Sequence, residues 1–200
     1  MKIENMRDFK QFLDEIKPTL KAKLQSTKIL TLFAQNYASF EGWLKVELCE
    51  ILKGHFDQVE PEYRLKNVSR EDVDEENDKE NSKIDIRFSN QEQWGIEIKV
   101  ITTGYKIEGI PVKKGRSIAG KKTKIENDIK KLNSSVMDIK LILIVVYPTK
   151  GDLFYKNHVD KNNIENTYKK IEDMDIKELK RYPFKFHDEK TQGTIYFGLV

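Results

Sequence analysis

The sequence predicts an α/β fold in which helices flank a central mixed sheet. Residues 83–88 and 94–100 alternate apolar with polar side chains and are separated by a short polar turn, which is typical of two successive strands. Residues 141–146 are continuously apolar, as in a strand covered on both faces. Between these strands, residues 125–136 carry an apolar stripe at helical spacing, so we expect a helical crossover connection.

The remaining elements follow from the same periodicities. Apolar residues at helical spacing predict a helix over residues 6–17, ended by Pro18. A second helix is expected between Ser39 as its N-cap and Gly54 just after its end. Residues 59–66 predict a first strand.

The C-terminal part of the chain adds two more elements. Residues 163–182 are interpreted as a helix, and residues 194–200 as a closing strand. We find no internal repeat and no Pro- or Ser-rich linker, so residues 1–200 are expected to form one domain.

Composition narrows the class of protein. Hydrophobic residues make up 38% of the chain and the net charge is only +3, which fits a globular domain but indicates no particular partner. The single cysteine, Cys49, has no partner for an internal disulfide, which suits a reducing compartment. No apolar run is long enough to cross a bilayer. We therefore expect a cytoplasmic protein without a membrane partner.

Three charged residues lie on the two successive strands. Asp85 alternates with the apolar residues of the first strand, and Glu97 and Lys99 share one face of the second. Two carboxylates from neighbouring strands can hold a hard divalent cation, which lowers the pKa of a bound water and neutralises charge on a phosphate. Lys99 would lie within reach of that water. The ordinary alternative is an antiparallel hairpin with a solvated polar face.

This pattern resembles the PD-(D/E)XK nuclease superfamily, which includes many type II restriction endonucleases and the archaeal Holliday junction resolvases. The resemblance rests on Asp85, on the segment Glu97-Ile98-Lys99, and on the predicted order of helix, three strands, helix and strand. It implies a restriction-endonuclease-like αβββαβ core in which Asp85 and Glu97 bind Mg²⁺, with Mn²⁺ as a substitute. Lys99 would orient the attacking water or help to deprotonate it. Ile84 stands where the family name has its proline, a position at which many members lack that residue.

The second predicted helix offers two candidates for a further acid. Glu41 falls in the first turn, where the helix dipole by itself favours an acid. Glu47 falls in mid-helix among apolar residues, so its carboxylate is either paired, protonated or metal-bound, or reaches water from the helix edge. The resemblance implies that a glutamate of this helix completes the acidic cluster. We assign Glu47 to the catalytic and metal-binding set and keep Glu41 as the alternative.

A basic, glycine-punctuated segment follows the second strand. Such a segment suits contact with a phosphate backbone, although an exposed loop of a basic protein would look the same. The candidate nucleic-acid-binding residues are Lys106, Lys113, Lys114, Arg116, Lys121 and Lys124. Residues 115–122 nearly spell a phosphate-binding P-loop, but Lys122 occupies the position of the required hydroxyl, so we expect no nucleotide cofactor.

Together these patterns predict a magnesium-dependent deoxyribonuclease, a hydrolase that cuts phosphodiester bonds in DNA. The resemblance favours a restriction or other genome-defence endonuclease, and symmetric duplex cutting would require a homodimer. Two alternatives stay open. One is a resolvase-like or DNA-repair nuclease, which would share the site and differ in substrate. The other is a noncatalytic α/β binding module, in which Asp85, Glu97 and Lys99 would not converge.

Overall fold

The computed structural model of the chain describes residues 3–35, 39–65, 83–102, 118–150 and 161–200. The helices in this described part are α1 (Ile3–Ser26), α2 (Lys28–Gln35), α3 (Glu41–Lys53), α4 (Ile118–Ser134) and α5 (Lys161–Glu172). The strands are β1 (Gln58–Arg64), β2 (Lys83–Ser89), β3 (Gln93–Thr102), β4 (Ile139–Lys150), β5 (Lys177–Lys185) and β6 (Gln192–Leu199).

The six strands form one mixed sheet in the order β1-β2-β3-β4-β6-β5. β3 and β4 are parallel, and every other neighbouring pair is antiparallel. Parallel neighbours need a long connection, and the chain passes from β3 to β4 through α4. The predicted α/β class, the mixed sheet and the crossover helix are therefore confirmed.

Helices cover both faces of this sheet. On one face, α1, α2 and α3 pack on alternate residues of β3, namely Ile96, Ile98 and Val100, and on inward residues of β2, β4 and β6. On the other face, α4 and α5 pack on Ile101 of β3 and on the opposite residues of β4. β4 is buried on both sides, which explains its unbroken apolar run.

The first helix is longer than its sequence predicts. We expected Pro18 to end it, but α1 runs through Pro18 to Ser26. A proline in mid-helix removes one backbone hydrogen bond and costs roughly 3 kcal/mol. Ile16, Leu20 and Leu24 lie on the same face of α1 and are fully buried, so their burial offsets that cost.

The prediction of one helix over residues 163–182 is wrong in its second half. α5 ends at Glu172, and β5 begins at Lys177 and pairs with β6. β5 lies at the edge of the sheet, where every residue except Phe184 remains at least partly exposed, so its polar sequence carries little strand signal. The closing strand expected over residues 194–200 is confirmed as β6. None of the helices in the described ranges is sufficiently long and apolar to span a membrane.

Candidate active site

β2 and β3 pair regularly at one end and separate at the other. Their ladder runs from Ser89 opposite Gln93 to Ile86 opposite Ile96, and Asp85 is the next residue of β2. Beyond this point the backbone of β2 no longer accepts hydrogen bonds from β3. The backbone N–H of Ile98 donates instead to Oδ2 of the Asp85 side chain, at 2.8 Å. The site is built at this separation.

A second carboxylate accepts a hydrogen bond from the same edge of β3, two residues after Ile98. The backbone N–H of Val100 donates to Oε2 of Glu41, on the first turn of α3, at 3.1 Å. Buried N–H groups need an acceptor, and here two side chains from different elements provide it. Where β2 and β3 no longer pair, Asp85 of β2 and Glu41 of α3 therefore accept hydrogen bonds from the backbone of β3.

Glu97 and Lys99 point from β3 toward α4. Glu97 is 1% exposed, and its Oε1 lies 2.7 Å from Nζ of Lys131. Nζ of Lys99 lies 3.0 Å from Oδ2 of Asp128. The other oxygen of Asp128, Oδ1, lies 3.4 Å from Nζ of Lys131. The face of β3 that carries the charged pair is thus covered by a charged face of α4.

Asp85 is held from two sides. Nζ of Lys45, one turn after Glu41 on α3, lies 2.7 Å from Oδ1 of Asp85 and also pairs with Glu62 of β1. Burial by itself would raise the pKa of the Asp85 carboxyl, but the bonds from Lys45 and from the N–H of Ile98 outweigh it and lower that pKa. Asp85 is therefore a carboxylate at neutral pH.

Glu97 behaves in the opposite way. Burial, together with the nearby charge of Asp85, raises the pKa of the Glu97 carboxyl to about 8, although Lys131 opposes the rise. Lys131 is close enough to attract Glu97, yet Oε1 of Glu97 is buried without a hydrogen bond of normal geometry. In the absence of another cation, Glu97 holds a proton at neutral pH.

Lys99 keeps its charge. Burial disfavours the ammonium form, but Glu41, whose Oε1 lies 3.8 Å away, and Asp128 raise the pKa of Lys99 above its ordinary value. Asp85 contributes in the same direction. Asp85 is therefore near enough to Glu97 and to Lys99 for its charge to act on both.

The assignment of Glu47 to this cluster is wrong. Glu47 lies on the other side of α3, where its Oε2 is 2.9 Å from Nζ of Lys23 of α1. This pairing is one of the ordinary outcomes open to a mid-helix glutamate. The alternative, Glu41, is the acid of α3 that contacts β3. The solvated-hairpin interpretation is also wrong, because Glu97 is buried beneath α4.

Three residues of the cluster were missed in the sequence. Lys45 follows Glu41 by four residues, a spacing that puts both on one face of α3. Asp128 and Lys131 fall outside the apolar stripe of their helix, but the side chain of each is only 14% exposed. Their three-residue spacing beside the apolar stripe was the available signal, and it is too common to identify a site.

The basic residues divide into two groups. Lys106, Lys113, Lys114 and Arg116 lie outside the described residues. Lys121 and Lys124 of α4 line a cavity of about 170 Å³ together with Lys99 and Glu41. Nζ of Lys121 donates to Oγ1 of Thr102 at 3.3 Å, at the end of β3. The two described lysines therefore stand beside the charged cluster.

No protein-family model, curated protein or solved structure matches this chain. The resemblance to the PD-(D/E)XK nucleases therefore rests on the sequence pattern of this chain alone.

The donor set can be tested against the cation that the resemblance implies. Within the described ranges, no three His, Cys, Asp or Glu side chains group as a metal centre. Magnesium, however, is usually bound through one or two carboxylates and completes its shell with waters and substrate phosphate. Asp85 and Glu97 supply two carboxylates, and Oε1 of Glu97 is a buried oxygen without a proper hydrogen bond. Asp85 and Glu97 are the residues that would hold a magnesium ion of this kind.

Proposed function

We propose that this protein is a metal-dependent endonuclease that hydrolyses phosphodiester bonds in DNA. The observation that carries the proposal is the separation of β2 from β3 at Asp85, which leaves Asp85 close enough for its charge to act on both Glu97 and Lys99. We further propose that α3, β1 to β3, α4 and β4 form the αβββαβ core of the PD-(D/E)XK superfamily. By resemblance, a restriction or other genome-defence role is favoured.

In this proposal Asp85 and Glu97 hold Mg²⁺ or Mn²⁺. The bound cation would supply an activated water and neutralise charge that develops on the scissile phosphate. Asp85 is already ionised, whereas Glu97 must release its proton to serve as a ligand. The N–H of Ile98 and the ammonium of Lys45 keep Asp85 in a fixed orientation.

Lys99 acts as a cation in this proposal. Its raised pKa means that it holds its proton at neutral pH, so of the two roles implied by the resemblance we favour orienting the water over deprotonating it. Asp128 and Glu41 restrain the ammonium from α4 and α3. Lys121 and Lys124 line a cavity together with Lys99 and would contact a neighbouring phosphate of the substrate.

Digestion of supercoiled plasmid, linear duplex, four-way-junction DNA and single-stranded RNA with Mg²⁺ or Mn²⁺ tests this proposal. We expect the wild type to cut DNA and Asp85→Asn to reduce the rate at least about 100-fold. Asp85→Asn keeps the size of the side chain and is paired with Asp57→Asn, an exposed aspartate, as the control. Preference for the junction would favour a resolvase. Equal cutting by the wild type and Asp85→Asn would reject the site.

A noncatalytic binding module is the second candidate. Its support is that Asp85 and Glu97 each lie 2.7 Å from a lysine ammonium, so each carboxyl group has a cationic neighbour within the protein itself. This candidate predicts that Mn²⁺ neither binds at the cluster nor raises the melting temperature. Isothermal titration with Mn²⁺, comparing the wild type with Asp85→Asn, separates it from the nuclease.

A further inference from the structure

Lys131 is not part of the site that the sequence predicts, yet it lies closest to Glu97. Its ammonium is 2.7 Å from Oε1 of Glu97, and the side chain is 14% exposed. The other carboxylate has a different arrangement, because Asp85 uses one oxygen for Lys45 and the other for the N–H of Ile98. Lys131 is therefore the cation at the oxygen that lacks a proper hydrogen bond.

The two lysines of the cluster are not restrained equally. Lys45 lies between two acids from different strands, Asp85 of β2 and Glu62 of β1, which keep it in place. Lys131 has Asp128 as its second acid, 3.4 Å away on the preceding turn of the same helix. If Lys131 leaves Glu97, it can keep Asp128 as a partner without unwinding α4.

A divalent cation between Asp85 and Glu97 would bring two positive charges next to the Lys131 ammonium. Like charges at contact distance in a partly buried site repel strongly. In the proposed function Oε1 of Glu97, which is buried without a proper hydrogen bond, would ligate the cation, and Oε1 is also the oxygen beside Lys131. Cation binding and the contact between Lys131 and Glu97 therefore compete for the same atom.

We propose that Lys131 occupies the place of the cation beside Glu97 in the metal-free protein, and that it contacts a substrate phosphate after the cation has displaced it. This inference rests on the proposed nuclease function. It makes Lys131 a substrate-positioning residue that lowers metal affinity. After leaving Glu97, the ammonium would stay with Asp128, which also pairs with Lys99, so a phosphate that contacts Lys99 would be within its reach.

The test measures two binding constants in the same set of variants. The first is Mn²⁺ affinity, from the electron paramagnetic resonance signal of the free ion. The second is affinity for a fluorescein-labelled duplex in Ca²⁺, with a gel to verify that the DNA is intact. The variants are Lys131→Met, Lys131→Arg, which keeps the charge, and Lys130→Met as the matched control on the exposed side of α4.

We expect Lys131→Met to bind Mn²⁺ at least about tenfold more tightly than the wild type, because a competing charge is gone. The same variant should bind the duplex about threefold to tenfold more weakly, because a phosphate contact is gone. Lys131→Arg and Lys130→Met should stay near the wild type in both assays. A merely structural role for Lys131 would not produce effects of opposite sign.

Unchanged or weaker Mn²⁺ binding in Lys131→Met would overturn the inference, as would unchanged DNA binding. If the wild type cuts DNA in either case, the proposed function survives. If neither protein binds Mn²⁺ while both melt cooperatively, the proposed function fails as well. Should Lys131→Met not fold, Lys131→Gln carries the same test, since its amide can still donate to Glu97.

Discussion

The buried Glu97 makes a quantitative prediction about the metal-free protein. Its carboxyl pKa is about 8 in the folded state and about 4.5 when exposed, because burial and Asp85 disfavour the charged form. The folded state therefore binds one more proton than the unfolded state between these pH values. The resulting stability is fully present below pH 4.5 and is lost as the pH rises through 8.

The size of the effect follows from the interval between the two pKa values. At about 1.4 kcal/mol per pH unit, an interval from 4.5 to about 8 sets an upper limit of roughly 5 kcal/mol. Relaxation of the site reduces the electrostatic cost in real proteins, so we expect about 2–4 kcal/mol between pH 5 and pH 8.5. Glu97→Gln keeps the shape of the side chain and cannot ionise, so it should lack this loss.

Urea denaturation in a chelating buffer at several pH values measures the difference. We expect the free energy of unfolding of Glu97→Gln, relative to the wild type, to increase steadily from pH 5 to pH 8.5. The control is Glu50→Gln: the exposed Glu50 has its pKa lowered by Lys53, so it stays ionised throughout this range. Parallel curves for the wild type and Glu97→Gln would refute the assigned burial and charge environment of Glu97.

Three further predictions follow from the same structure. Glu41→Gln should slow DNA cleavage at least about tenfold, because Glu41 restrains the Lys99 ammonium from α3. In the same plasmid assay, the cleavage rate of Glu47→Gln should stay within about twofold of the wild type. Equal effects of the two substitutions would contradict the assignment to Glu41. Lys99→Met should lower the cleavage rate about 100-fold or more, because Lys99 orients the water in the proposed function. Its Mn²⁺ affinity should stay within about threefold of the wild type, because Lys99 is not a metal ligand. Loss of Mn²⁺ binding in this variant would contradict the assignment of Lys99 to the water and not to the metal. Gly193→Ala would place a methyl group 2.4 Å from the ring of Phe184. We therefore expect the free energy of unfolding, measured by thermal denaturation, to fall by about 1–3 kcal/mol. An unchanged melting temperature would contradict this close packing.

Local patterns were sufficient where one periodicity dominates the packing. The alternation in residues 83–88 and the apolar run at 141–146 identified β2 and β4, because burial on one or both faces constrains every residue of such strands. Edge elements have no such constraint. The sequence of β5 was interpreted as part of a helix for that reason. Pro18 was interpreted as the end of the first helix, although the buried face of α1 continues beyond it.

The sequence by itself determined that Asp85, Glu97 and Lys99 lie on adjacent strands, because strand alternation and chain order are local properties. Only the tertiary structure decided which acid and which lysines join them. Glu41 and Glu47 differ by six residues on one helix, and the packing of α3 turns the first toward β3 and the second toward α1. Asp128 and Lys131 reach the site because α4 crosses over it, a long-range contact that the spacing of residues along the chain does not encode.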